Sequence, residues 1–184
     1  HTYDWSRHHE LRALLRATPD GAIVAGSSEG GLFEYGSDEE IVANLKVLAE
    51  ALDAGHLGAM IGTQPKGTSG VLDDPDLDPL WEMASARKAV LYVHPTFGAR
   101  DDRLKAYGLV SAVGRIVDTT IAVSRLLYSG HLTRYPGVKL VLSHGGAALP
   151  MALGRLKQSF ATAPAKNADP LEGFNRLYFD TCVY

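Results

Sequence analysis

The sequence predicts a parallel α/β fold. Three observations carry that expectation. Short aliphatic, strand-like runs recur near residues 22, 57, 89, 138 and 177, separated by stretches with helical periodicity. Two of these runs end in a histidine, His94 and His144. Each histidine meets a turn signal at once, Pro95 in the first case and Gly145-Gly146 in the second. In parallel α/β folds, polar groups at the carboxyl ends of buried strands stand where chemistry is done. Two strands that each deliver an imidazole there point to one shared metal or acid–base site.

The elements follow in order. Residues 5–16 read as a helix, with Ser6 as its cap and Leu11, Leu14 and Leu15 on one face. His8 and His9 are adjacent, diverge on a helix, and are expected to be solvated. Pro19-Asp20-Gly21 is a turn, residues 22–25 a short strand, and residues 26–36 a loop. That loop lacks the Gly-Lys-Ser/Thr of a phosphate-binding loop. Ser37-Asp-Glu-Glu40 is a capping box for a helix reaching Ala54, with Ile41, Leu45, Leu48, Ala49 and Leu52 as its apolar stripe.

Residues 57–62 form the next strand. His56, at its amino end, is expected to be structural, whereas Thr63 and Gln64 at the other end are placed to face a ligand. The four aspartates of Asp73-Asp-Pro-Asp-Leu-Asp-Pro79 lack the glycine and closing glutamate of an EF-hand, so turn and cap duty explains them. A helix over 80–87 and the strand 89–94 follow. Apolar residues at Val110, Val113, Val117, Ile121 and Leu126 predict a helix before Gly130. Arg134-Tyr-Pro-Gly137 turns into the strand 138–143, and a helix from Pro150 to about residue 158 follows the His144 turn. Residues 161–169 are a polar loop, and residues 176–184 a last strand with Asp180 near its carboxyl end.

At 184 residues the chain suits one domain, residues 1–184, with a real core. A net charge of −3 and the lack of a basic block argue against nucleic acid. No run approaches the roughly 20 apolar residues that cross a bilayer, and no signal-peptide core is read, so no membrane partner is expected. The single cysteine, Cys182, fits a cytoplasmic protein and is expected to be buried and inert. Five strands make either a small open sheet or part of a (β/α)₈ barrel, which normally needs about 250 residues.

Several stretches resemble one family, and in the family's order: residues 57–62, the Asp-Pro segment to Trp81, Val90-Leu-Tyr-Val-His-Pro95, Tyr135-Pro-Gly-Val-Lys-Leu-Val-Leu-Ser-His-Gly-Gly146 and Leu177-Tyr-Phe-Asp-Thr181. They are similar to the amidohydrolase-related metal-dependent decarboxylases, in particular the aminocarboxymuconate-semialdehyde decarboxylase group. The resemblance implies a parallel (β/α) barrel of TIM type. It is incomplete here, because the first- and eighth-strand motifs are missing or partial. It implies a divalent metal, usually zinc. His94 matches the metal-ligand histidine of the fifth barrel strand, and His1 corresponds to the second member of the opening His-X-His pair. His144 matches the catalytic histidine of the sixth strand. Arg155 matches an arginine that reaches into a neighbouring subunit's site to hold a substrate carboxylate, which implies a homodimer. Asp180 belongs to the seventh strand and is not assigned to the metal. Phe97, Tyr107 and Arg115 are candidates to line the pocket.

The implied reaction is decarboxylation of a small carboxylated aromatic or ring-cleavage product. Two alternatives stand beside it. One is a metal-dependent hydrolase or hydratase, lactonase-like, on the same barrel. The other is an inactive, non-enzymatic barrel relic.

Overall fold

Four short strands lie side by side in one parallel sheet, in the order they follow in the chain. They are β1 (Gly58–Ile61), β2 (Val90–Val93), β3 (Lys139–Leu142) and β4 (Leu177–Phe179). The structure is a computed structural model that describes residues 7–19, 37–65, 70–164 and 167–182. His1, Ser6 and the strand expected near residue 22 lie outside the described residues.

The register aligns Ile61, Val93, Leu142 and Phe179 in one row across the sheet. The ladder then runs one residue further. His94 N donates to Ile61 O (3.0 Å), Ser143 N to Val93 O (3.1 Å) and Asp180 N to Leu142 O (3.0 Å). His94, Ser143 and Asp180 therefore share the next row, at the carboxyl edge of the sheet.

Helices connect the strands, as parallel pairing requires. α1 (His8–Arg16) and α2 (Asp38–Asp53) precede β1. The capping box of α2 is present: Ser37 Oγ accepts from Glu40 N, and Ser37 N donates to Glu40 Oε2. α3 (Asp78–Ala86) joins β1 to β2. Between β2 and β3 come a π-helical turn (Val110–Gly114), α4 (Arg115–Tyr128) and α5 (His131–Arg134). α6 (Leu149–Thr162) and α7 (Pro170–Phe174) precede β4.

Alternation along the strands decides what is buried. Leu91, Val93, Leu140 and Leu142 point into the core with Trp81, Val123, Leu126, Leu127 and Leu149, all at most 1% exposed. Trp81 also satisfies its indole by donating to Leu72 O at 2.9 Å. A buried aromatic of this size contributes roughly 4–6 kcal/mol of apolar transfer as an upper figure. The other face of the sheet carries Met60, Tyr92, Val141 and Tyr178, which are only partly covered; Tyr178 is 54% exposed.

The helix expected before Gly130 is present as the π-helical turn and α4, and two other expectations are corrected. Of the apolar residues whose spacing predicted it, Val110, Val113, Val117 and Ile121 are exposed and Leu126 is buried. α4 buries Asp118, Thr119, Ala122, Val123, Leu126 and Leu127. β4 ends at Phe179, so Cys182 lies beyond the ladder and is exposed, not buried. The aspartate segment caps only in part. Asp74 caps the turn before α3, but Asp73 pairs with Arg125 at 2.7 Å and Asp78 lies beside His131 and Arg134.

His56 is structural as expected, its Nδ1 bonded to Ala51 O at 2.8 Å, and His9 is exposed. Among the described residues no helix is long and apolar enough to cross a membrane.

Candidate active site

β2 leaves its ladder at His94, where Pro95 cannot continue the hydrogen-bonding pattern. β3 leaves at Ser143, and the chain then turns through four consecutive residues of positive φ: His144 (54°), Gly145 (61°), Gly146 (81°) and Ala147 (57°). Positive φ is costly for His144 and Ala147, which carry a Cβ. Gly146 is required for a second reason, since a Cβ there would lie 2.5 Å from ring carbons of Phe179.

This turn folds His144 back toward the neighbouring strand. The His94 and His144 rings stand with centroids 5.1 Å apart and planes tilted by 50°. The structure thus brings together the two histidines that the sequence singled out. Ser143 Oγ lies 3.2 Å from His144 Nδ1. This contact engages Nδ1 and leaves Nε2 as the nitrogen open to a reactant.

Asp180 and Tyr92 support the pair, and sequence reasoning gave neither a role. The Tyr92 ring stacks on His94 at 6.5 Å, and its hydroxyl donates to Asp180 Oδ2 at 2.7 Å. Asp180 Oδ1 accepts from Gly145 N (2.8 Å) and Cys182 N (3.2 Å). Burial acts to raise the Asp180 carboxyl, but hydrogen bonds from Gly145, Tyr92, Cys182 and His144 outweigh it and hold it below the usual carboxylate range. The Tyr92 phenol is pushed up to about 12, by burial first and then by its bond to the Asp180 carboxylate. The sequence signal was strand alternation: Tyr92 and His94 fall on one face of β2.

Thr63 and Gln64 are engaged within the protein. Both donate to Asp118 of α4, Gln64 Nε2 at 2.6 Å to Oδ1 and the Thr63 hydroxyl to Oδ2. Burial pushes the Asp118 carboxyl up, and these two bonds offset only part of that. A lone acid in the apolar run Ile116-Val-Asp-Thr-Thr-Ile-Ala-Val123 is the signal that could have marked it.

A cleft of about 850 Å³ opens beside the loop that leaves His94. Phe97, Leu104 and Val110 give it an apolar lining, and Arg100 and Arg115 add guanidinium groups. Tyr107, by contrast, is 97% exposed and does not line it. Arg155 is exposed on α6. It has no ion pair among the described residues.

A catalytic zinc takes three protein ligands. Among the described residues no three His, Cys, Asp or Glu side chains converge in this way. His94 and His144 have the right donor chemistry but fall short of a complete metal site.

The amidohydrolase family model matches residues 35–182. The chain is 30% identical over 138 residues to the 2-amino-3-carboxymuconate-6-semialdehyde decarboxylase of Dictyostelium discoideum, a match covering 72% of this chain and 38% of the relative. It therefore spans about two fifths of that relative's length. The solved 5-carboxyvanillate decarboxylase LigW of Sphingomonas paucimobilis superposes with a TM-score of 0.63 at 26% identity, over 74% of this chain and 44% of that one. A dihydroxybenzoic acid decarboxylase of Polaromonas, solved with manganese and 2-nitroresorcinol bound, superposes with a TM-score of 0.58 at 22% identity, over 73% of this chain and 46% of that one. At that identity the likeness speaks for the fold alone.

Proposed function

The chain belongs to the amidohydrolase family, and from that premise we propose that it serves a metal-dependent carbon–carbon lyase that decarboxylates a small aromatic or ring-cleavage carboxylic acid. The observation that carries this reading is the convergence of His94 and His144 from adjacent strand ends, with centroids 5.1 Å apart. The names of two similar proteins, decarboxylases of a ring-cleavage product and of a carboxylated ring, support the substrate class.

In this reading His144 delivers the proton. The Nε2 hydrogen of its imidazolium goes to the unsaturated carbon that bears the carboxylate, leaving the neutral ring. The bond to the carboxylate then breaks, its electron pair restores the unsaturation, carbon dioxide leaves, and His144 regains a proton from water. His94 is a metal ligand. His1, outside the described residues, is proposed as another. The metal is zinc in this proposal, and when bound it supplies a Lewis acid to a substrate oxygen. Phe97 and Arg115 of the cleft are proposed to contact the acid.

Arg155 is proposed to bind a substrate carboxylate in a partner copy's site, which makes the protein a homodimer. The exposed apolar side chains Val117, Ile121 and Met151 support such an interface, since large exposed apolar patches mark contact surfaces. α4 and the start of α6 are tied together there, with Ala148 N donating to Thr120 Oγ1 at 3.2 Å. We further propose that residues 1–184 form one domain and that the four strands belong to a (β/α) barrel of TIM type. The half-covered face of Met60, Tyr92, Val141 and Tyr178 is the face that barrel closure would bury. A cytoplasmic location completes the reading, consistent with a single free cysteine.

The test is carbon dioxide release from a panel of hydroxylated benzoates and carboxymuconate semialdehydes, with elemental analysis of the same sample. Release with about one metal per chain supports the reading. Consumption of a lactone or hydration of an unsaturated acid, without carbon dioxide, replaces it with the hydrolase or hydratase alternative.

A further inference from the structure

Asp180 touches the surroundings of both histidines at once. Its own backbone is fixed by Asp180 N donating to Leu142 O at 3.0 Å, which places it in the row of His94 and Ser143. Its two carboxylate oxygens then divide their work. Oδ2 takes the Tyr92 hydroxyl, and the Tyr92 ring stacks on His94. Oδ1 takes Gly145 N, the amide directly after His144. We infer that Asp180 is a positioning residue, a brace that sets the pose of the two imidazoles relative to each other. The inference rests on the reading of His94 and His144 as the reacting pair.

The plainer explanation is a strand-end aspartate that closes its own turn. One bond fits that, Cys182 N to Oδ1, two residues away. The other two donors are 88 and 35 residues distant in sequence, on two different strand ends. A local cap has no need of them. Three donors also converge on one side chain, which suits an ionised carboxylate, since it accepts at both oxygens and donates at neither.

The backbone after His144 adds a second reason. His144 and Ala147 hold positive φ, a conformation that persists in residues with a Cβ only where the surroundings enforce it. Phe179 fills the space over Gly146, and Asp180 holds Gly145 from the next position along. The brace and the wedge are thus consecutive residues of β4 and its exit.

The contacts predict a graded series. Asp180→Asn keeps an oxygen for Gly145 N and Cys182 N and turns its amide toward Tyr92, so it loosens the His94 side alone. Tyr92→Phe loosens the same side from the other partner. Asp180→Ala releases both sides. The experiment is NMR of the histidine ring Cε1–H signals in the full 184-residue chain, assigned with His94→Gln and His144→Gln. Asp180→Asn and Tyr92→Phe are expected to move the His94 signal and leave that of His144 in place, and Asp180→Ala to move both. The His56 and His131 signals stay fixed and report an intact fold.

Steady-state decarboxylation of 2,6-dihydroxybenzoate is the second readout. Asp180→Ala is expected to lower kcat about 100-fold, the scale of a catalytic group displaced by about an ångström, with KM changed less than about 2-fold. Unmoved His94 and His144 signals in folded Asp180→Ala would overturn the inference. Should that variant not fold, Asp180→Asn and Tyr92→Phe decide it, and an unmoved His94 signal in both is the overturning result. A wild type that releases no carbon dioxide counts against the lyase reading, while the ring signals still decide the brace.

Discussion

His131 Nε2 lies 3.7 Å from Asp78 Oδ1, and both atoms are buried without a hydrogen-bond partner among the described residues. His131 is 3% exposed, set between Trp81 and Tyr135, with Nδ1 on Ser129 Oγ at 2.7 Å. Burial lowers its pKa below 6.5, the Arg134 charge adds to that, and Asp78 and Asp73 offset part of it. The folded protein thus resists protonation more than the unfolded chain does. Stability tied to His131 is present above pH 6.5 and is lost as pH falls through the folded-state value. Urea unfolding at a series of pH values should show this loss, and His131→Gln should flatten the slope in that window while lowering stability overall.

The Asp118 pair of bonds carries the opposite sign. Its folded pKa is raised above 3.8, so its contribution is greatest below that value and falls as pH rises through the folded-state value. Asp118→Asn should keep the fold and reduce this part of the pH dependence, with Gln64 turning to accept. Asp118→Ala should cost about 1–3 kcal/mol, since it strands the buried Thr63 hydroxyl. Denaturant melts of the two variants at pH 4 and pH 7 check both statements.

His94→Ala and His144→Gln should separate metal from proton. The first is expected to strip the metal in elemental analysis. The second should keep it and lower carbon dioxide release by roughly 10²–10⁴-fold, the range of a lost general acid. Metal lost from both would make His144 a ligand too.

Arg155→Ala should raise KM for the acid with metal content intact. Ile121→Glu, which puts a charge on the exposed stripe of α4, should shift a dimer toward monomer in sedimentation velocity. A monomeric wild type would remove the ground for placing Arg155 in a partner's site.

The two histidine strand ends were legible because aliphatic runs, Pro95 and Gly145-Gly146 are local signals. Their approach to 5.1 Å follows from parallel pairing of β2 with β3, which the alternation of elements implied. Asp180 was visible as a residue but not as a brace, because its partners lie 35 and 88 positions away and no spacing rule spans such distances. The apolar spacing over residues 110–126 marked a helix but not its buried side. Periodicity reports helical spacing, not which side of the helix its neighbours cover. Cys182 was misplaced because the strand was extended past Phe179 by composition alone.

The turn after His144 depends on residues that come late in the chain. Phe179 caps Gly146 and Asp180 holds Gly145, so β3 alone does not fix the turn. The histidine pair should accordingly be assembled last during folding, after β4 has docked beside β3. An intermediate with β1 to β3 in place would then have its core before the two imidazoles are set against each other.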